Sequence, residues 1–152
     1  MKILDIIFGK KNTINHPILG KLVSDRIRGN NQTKSYTWVG SKTLGNTTKE
    51  TTLIMEGNPT GPNPLHINFI SDLVQNWEQE YLPKIERIIS EKRIDKKEVF
   101  LKWKNDFYVG GIVPLDNRKS EFELTIEPLD DNVSKSIGIE FKNHNIIKVY
   151  TY

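Results

Sequence analysis

Glu121, Glu123 and Glu127 fall at even spacings within one short stretch, so a strand there would carry all three carboxylates on one face. Alternate residues of a strand lie roughly 7 Å apart, a separation that paired carboxylates use in acid–base hydrolysis. The competing account is a solvated outer face. Phe122, Leu124 and Ile126 alternate with the glutamates and would supply the apolar side opposite them. An enzyme built on this chain would act through the Glu121/Glu123/Glu127 face.

The remaining chemistry-bearing residues are scattered. His16, His66 and His144 stand at the start of a strand, the start of a helix and a turn, none with a second metal ligand at helical spacing. Asp130-Asp131-Asn132 resembles a fragment of a calcium loop but lacks its glycine and closing glutamate, so it reads as an ordinary turn. The glycine-bearing segment Gly57 to Pro64 precedes a helix as a phosphate cradle does. Its prolines remove backbone donors, however, and no Lys-Ser/Thr pair follows Gly61. Cysteine is absent, which excludes disulfides, thiolate catalysis and cysteine-bound zinc. No catalytic residue, cofactor or metal is assigned from these patterns.

The elements that would position such residues are clearer. Between Asn63 and Arg93, apolar residues at Ile70, Leu73, Val74, Trp77, Tyr81, Ile85, Ile88 and Ile89 form one stripe, with Asp72, Gln75, Gln79 and Arg87 opposite. Asn63 before Pro64 supplies an N-cap and a first-turn proline. Pro83 interrupts the pattern without breaking its phase, so one long kinked helix is expected, with four-apart pairs Glu80–Lys84 and Arg87–Glu91. Before it, strands are expected from Pro17 toward Ile27, at Tyr36–Val39 and at Thr51–Met55, with a turn at Gly29-Asn30-Asn31. After it come Val99–Trp103, a tight turn at Asn105-Asp106, then Phe107–Val113 with Gly110-Gly111 marking a bulge, Glu121–Glu127, Ile137–Phe141 and Ile146–Tyr152. The expected fold class is α+β: antiparallel β-meanders, about three strands before and four to five after, packed on the helix. Residues 1–152 fit a single domain, with residues 1–14 a loosely packed leader.

Charge and hydropathy narrow the function classes. The formal net charge is +3, and its excess lies in residues 1–64, which hold nine Lys/Arg against four Asp/Glu. That surplus is spread thinly, without the clustering or interleaved aromatics of a nucleic-acid surface, so nucleic acid is not an expected partner. The opening MKILDIIF is broken by Asp5 and followed by Gly9-Lys10-Lys11, too short for a secretory core or a membrane span. A cytoplasmic protein with no membrane contact is the expectation.

Phe122–Ile126, an acidic turn, and then Ile137-Gly138-Ile139-Glu140-Phe141-Lys142-Asn143 resemble the C-terminal pattern of small bacterial families of unknown function. Phe8-Gly9-Lys10-Lys11, His16 to Leu22 and Tyr81-Leu82-Pro83-Lys84-Ile85 are similar to the same group. Some of these families are immunity-like proteins encoded beside polymorphic toxins. The resemblance implies a small protein-binding module that neutralises a toxin, and it assigns no functional residue. The basic balance argues against a nuclease as the target, because nuclease inhibitors present acidic surfaces. A structural module that binds its own copies is the third class.

Several strands carry apolar residues on both faces, which requires a cover for the second face. Either the N-terminal strands pack there, bringing Tyr36, Trp38 and Leu53, or Phe100, Tyr108, Ile112 and Tyr150 form an exposed patch. In the second case those four residues are the candidate partner-binding surface.

Overall fold

The computed structural model describes residues 3–29, 31, 33–116 and 120–152; Asn30 of the expected turn lies outside them. The chain runs α1 (Ile3–Phe8), β1 (Lys10–His16), β2 (Gly20–Ile27), β3 (Tyr36–Lys42), β4 (Thr51–Asn58), β5 (Gly61–Pro62) and α2 (Pro64–Gln75). A π-helical turn (Trp77–Tyr81), α3 (Leu82–Glu91), two 3₁₀ turns, α4 (Trp103–Asp106), β6 (Phe107–Asp116), β7 (Glu121–Pro128), β8 (Ile137–Lys142) and β9 (Asn145–Thr151) follow. Among the described residues the fold is α+β: a nine-stranded, mostly antiparallel sheet with four α-helices.

Strands before and after the helices share that sheet. The order is β1-β2-β3-β4-β6-β7-β8-β9, and the joint is a parallel pair, Thr52 opposite Gly111 and Leu53 opposite Ile112. A parallel neighbour needs a crossover of a dozen or more residues, which the helical segment supplies. The N-terminal strands therefore meet the C-terminal ones edge to edge, not face to face as one expectation had it. One row of buried side chains runs across the joint: Leu53, Ile112, Leu124 and Ile139 lie opposite one another in successive strands.

The helix starts as its sequence dictates. The Leu65 N–H donates to Asn63 Oδ1 (2.9 Å), and Pro64 occupies the first turn, where its missing N–H costs nothing. Both four-apart pairs form, Glu80–Lys84 at 2.6 Å and Arg87–Glu91 at 3.8 Å. In place of one kinked helix there are two, α2 and α3, joined by the π turn. Leu73, Trp77, Tyr81, Ile85 and Ile89 are all buried, each four residues from the last. A step of four overshoots one α-helical turn by about 40°, so this stripe would drift off the core in a regular helix. The wider turn takes up part of that drift. Pro83 follows directly and has no N–H to offer the Gln79 carbonyl, which favours widening at this point.

Two strand expectations are corrected. Residues 98–100 form a 3₁₀ turn and Trp103–Asp106 is α4, so the stretch from Val99 to Trp103 passes through turns into a helix, and Asn105-Asp106 ends that helix instead of turning a hairpin. Phe100 and Trp103 are buried there while Val99 and Leu101 are exposed, a pattern that short apolar runs of either type can give. The first strand begins at Lys10, and Pro17 to Leu19 is the turn between β1 and β2. His16 organises that turn: its Nδ1 accepts the N–H groups of Ile18 (3.2 Å) and Leu19 (3.1 Å).

His66 is a core histidine. Its side chain is fully buried, Nδ1 accepts the Glu56 N–H (3.1 Å), and its ring meets Phe122 edge-on at 5.2 Å. Burial holds its pKa below the ordinary 6.5, against an opposing pull from Glu56. The unfolded chain therefore takes up a proton that the folded state refuses once pH falls below 6.5. Stability should fall as pH drops through that window, by up to about 1.4 kcal/mol per pH unit while the two states differ by a full proton. His66→Asn keeps an acceptor for the Glu56 N–H and removes the titration. Thermal unfolding between pH 7 and pH 5 should show a shallower slope for the variant than for the parent.

Candidate functional site

The π turn is where the helical layer opens. Trp77 and Glu78 from that turn, Leu82 and Glu86 from α3, Trp103 and Lys104 from α4, Phe107 and Tyr108 from β6, and the loop Leu44–Thr48 line a cleft of about 610 Å³. Trp77 and Trp103 retain only 6% and 8% of their surface. Trp38, by contrast, donates its indole N–H to the Asn58 carbonyl (3.0 Å), whereas neither the Trp77 nor the Trp103 indole N–H meets an acceptor among the described residues. Gly45 carries φ 75° on the facing loop, and the Trp77 Nε1 lies 3.9 Å from where a Cβ of that residue would stand. The indole edge thus borders the cleft.

The charges around this cleft are unevenly matched. Glu86 is paired with Lys104 at 2.8 Å, while Glu78 has no cationic partner among the described residues. Tyr108 donates its hydroxyl to Glu127 (3.4 Å), and its ring carries Lys49 at 5.9 Å. Its pKa is raised by burial first and then by the Glu127 and Asp131 carboxylates.

A second constellation sits on the other side of the π turn. Tyr81, fully buried, donates its hydroxyl to Asp72 of α2, and the same oxygen lies 2.8 Å from His144 Nδ1 in the β8–β9 turn. His144 Nδ1 is also 3.2 Å from Asp72 Oδ2, and Asn76 donates to Asp72 Oδ1 (2.8 Å). A phenol has one proton; with that proton on Asp72, His144 faces two acceptor oxygens and must carry its own hydrogen on Nδ1. Burial, then the bond to Asp72 and its charge, push the Tyr81 hydroxyl pKa up. A carboxylate fixing a histidine tautomer is a motif of acid–base catalysis, yet Asp72, Tyr81 and His144 line neither this cleft nor the one beside β5. The cluster ties the β8–β9 hairpin, whose Asn143 and His144 adopt φ 47° and 65°, to the helical layer. Tyr81→Phe should lower stability by about 1–3 kcal/mol by leaving Asp72 short of a donor. A double-mutant cycle with His144→Ala, read by urea unfolding, would measure the coupling.

The residues singled out in the sequence lie apart. β7 has the expected alternation, with Phe122, Leu124 and Ile126 buried beneath half-buried glutamates. Glu121 pairs with Lys142 (3.3 Å), Glu123 accepts from Tyr152, and Glu127 accepts from Tyr108; none of the three lines the Trp-walled cleft or the smaller one beside β5. Phe100, Tyr108, Ile112 and Tyr150 do not make one exposed patch: Phe100 and Ile112 are core, and Tyr108 and Tyr150 are half-buried. The cause is the bulge at Gly110. Val109 pairs with Ile126 and Gly111 with Thr125, so the extra residue moves Ile112 onto the face of Phe107 and Val109. Tyr108 alone of the four reaches the Trp-lined cleft.

A smaller cleft of about 370 Å³ adjoins β5, where a phosphate cradle had been considered. Its lining sets Lys34 against Glu56, so it carries no net positive charge, and the Asn63 side chain is already committed to Leu65. Asp130 accepts from Asn132 N–H and Nδ2, both at 2.9 Å, which makes an ordinary Asx turn. Among the described residues no cluster of three or more His, Asp or Glu could hold a metal ion, and no helix is long and apolar enough to cross a membrane. The exposed apolar run is α1, where Ile3, Leu4, Ile6, Ile7 and Phe8 are all outward while Asp5 pairs with Arg26 at 3.6 Å.

Compared with known proteins, the chain matches no family model, no curated protein and no solved structure. Sequence reasoning missed the cleft and the Asp72–Tyr81–His144 cluster. The run of four-residue steps from Leu73 to Ile89 was the available signal for the π turn from which both depend.

Proposed function

We propose that this chain is a small protein-binding module of the cytoplasm, of the kind that neutralises a toxin, and that its partner is held at the cleft beside the π turn. One observation carries the choice of surface: two tryptophans, more than nine-tenths buried, wall an open cleft with indole donors that no described residue satisfies. Aromatic anchors in a pocket with a charged rim are what strong protein contacts are built on. The resemblance of β7, β8 and the Tyr81–Ile85 segment to immunity-like families supplies the partner class. The enzyme alternative has less to stand on, since Glu121, Glu123 and Glu127 are engaged by Lys142, Tyr152 and Tyr108 away from either cleft.

The test begins with the genes that flank this one: each toxin domain found there is co-expressed with the chain, and a locus that encodes none overturns the proposal. The chain should restore growth and co-elute with that domain, and Trp103→Ala or Tyr108→Ala should abolish both. Tyr108 is half-buried on the sheet's outer side, so its variant separates lost contact from lost fold. Failure to protect against any toxin domain of its own locus would overturn the proposal. Self-association is a second reading, favoured by the five outward apolar residues of α1. Sedimentation of the parent and of Ile6→Lys would decide it: a dimer that the substitution dissolves supports it, and a monomeric parent removes it.

A further inference from the structure

We infer that the Trp77–Trp103 cleft takes an arginine side chain on an extended segment of the partner, which deepens the binding function proposed above and rests on it. Two independent features of the cleft specify that chemistry. Both indole N–H groups lack acceptors among the described residues, and neither nitrogen is sealed from solvent although the side chains are 6% and 8% exposed. An indole N–H only donates, so the occupant must bring acceptors, and the carbonyls of an extended backbone provide them in series. The rim, in turn, is short of positive charge. Glu86 is neutralised by Lys104 at 2.8 Å, but Glu78 has no cationic partner among the described residues, and Tyr108 at the far side lies in the field of Glu127 and Asp131. Among the lining residues Glu78 and Glu86 stand against Lys104 alone, and Lys49 is held over the Tyr108 ring at 5.9 Å. A guanidinium fits this setting better than an ammonium: it is planar and meets a carboxylate with two parallel donors. The cleft volume of about 610 Å³ accommodates such a side chain with its flanking peptide groups.

The test uses acetyl-Gly-Arg-Gly-amide, its citrulline counterpart, which keeps the shape and loses the charge, and the intact chain labelled with ¹⁵N. The three tryptophans give three indole N–H signals, and Trp38, bonded to Asn58, serves as the internal control. The arginine peptide should shift the Trp77 and Trp103 signals in a saturable way and leave Trp38 unmoved. The citrulline peptide should bind weaker by on the order of tenfold, and Glu78→Gln, an exposed substitution, should weaken the arginine peptide severalfold. No saturable shift, equal affinity for both peptides, or indifference to Glu78→Gln would each overturn the inference. A chain that protects against its toxin yet ignores the arginine peptide loses only the occupant. A chain that binds the peptide yet never protects loses the toxin-neutralising function and keeps the site chemistry.

Discussion

Phe122→Ala should lower the free energy of unfolding by about 3–5 kcal/mol. Phe122 is fully buried at the meeting point of sheet and helix, stacked on Phe69 with ring centroids 4.2 Å apart and an interplanar angle of 16°. It also meets the His66 ring edge-on, and lies opposite Phe141 in the pairing of β7 with β8. Truncation would remove the transfer energy of the ring, open a cavity between three aromatic neighbours and forfeit the stacking term, worth about 0.5–1.5 kcal/mol. Urea unfolding should show a lower midpoint with an unchanged slope, since a cavity alters stability more than the surface exposed on unfolding. Thr125→Ala, half-buried on the opposite face of the same strand, is the matched control and should cost less than about 1 kcal/mol. Equal losses at both positions would mean that strand pairing, not the aromatic cluster, dominates this half of the core.

That cluster was readable in the sequence because β7 obeys the simplest rule a strand can obey. Phe122, Leu124 and Ile126 alternate with polar residues, and Ile137, Ile139 and Phe141 do the same in β8. The helical stripe was equally legible, and Ile70, Leu73, Trp77, Tyr81 and Ile85 are all buried as their spacing implied. What periodicity could not supply was the consequence of irregularities it had flagged. Gly110-Gly111 signalled a bulge, but a bulge also inverts the faces of every residue beyond it, and Ile112 passed from the presumed outer surface to the core. Pro83 signalled a disturbance, yet its outcome was a widened turn that sets Trp77 and Tyr81 on different sites. The parallel joint between β4 and β6 rests on contacts between residues far apart in the chain, and no local pattern encodes which edge meets which.

The candidate site was nearly invisible for the same reason. Its tryptophans lie 26 positions apart in the chain, on a π turn and on a helix that local pattern had taken for a strand. Each looked like an ordinary core residue, and each is one by burial. Only indole donors without an acceptor among the described residues set them apart from Trp38, and hydrogen-bond partners cannot be read from residue spacing. The Asp72–Tyr81–His144 cluster joins three elements in the same way, through side chains whose sequence neighbours give no hint of one another.

Gly57→Ala should cost more than about 3 kcal/mol, because the obstruction is backbone that cannot step aside. A Cβ at Gly57 would stand 2.2 Å from the Gly61 carbonyl oxygen, 2.6 Å from Pro62 Cα and 2.9 Å from the Gly61 carbonyl carbon. All three belong to the β4–β5 hairpin, in which Gly57 pairs with Pro62 and Asn58 with Gly61. Relieving the overlap means opening that hairpin. The hairpin delivers Asn63 to the helix: the Asn63 N–H donates to the Glu56 carbonyl (2.7 Å), and its side chain caps Leu65. Loss should therefore spread from strand pairing to the first turn of α2 and to His66, whose Nδ1 depends on the Glu56 N–H. Gly110→Ala is the instructive comparison. A Cβ there would come equally close, 2.2 Å, but to the Glu127 carboxylate, the free end of a flexible side chain that can swing outward. That variant should cost about 1 kcal/mol or less and chiefly release Tyr108 from Glu127. Thermal unfolding of the two variants against the parent checks the contrast: a mild Gly57→Ala would show that the β5 turn yields, and that the α2 cap does not depend on it.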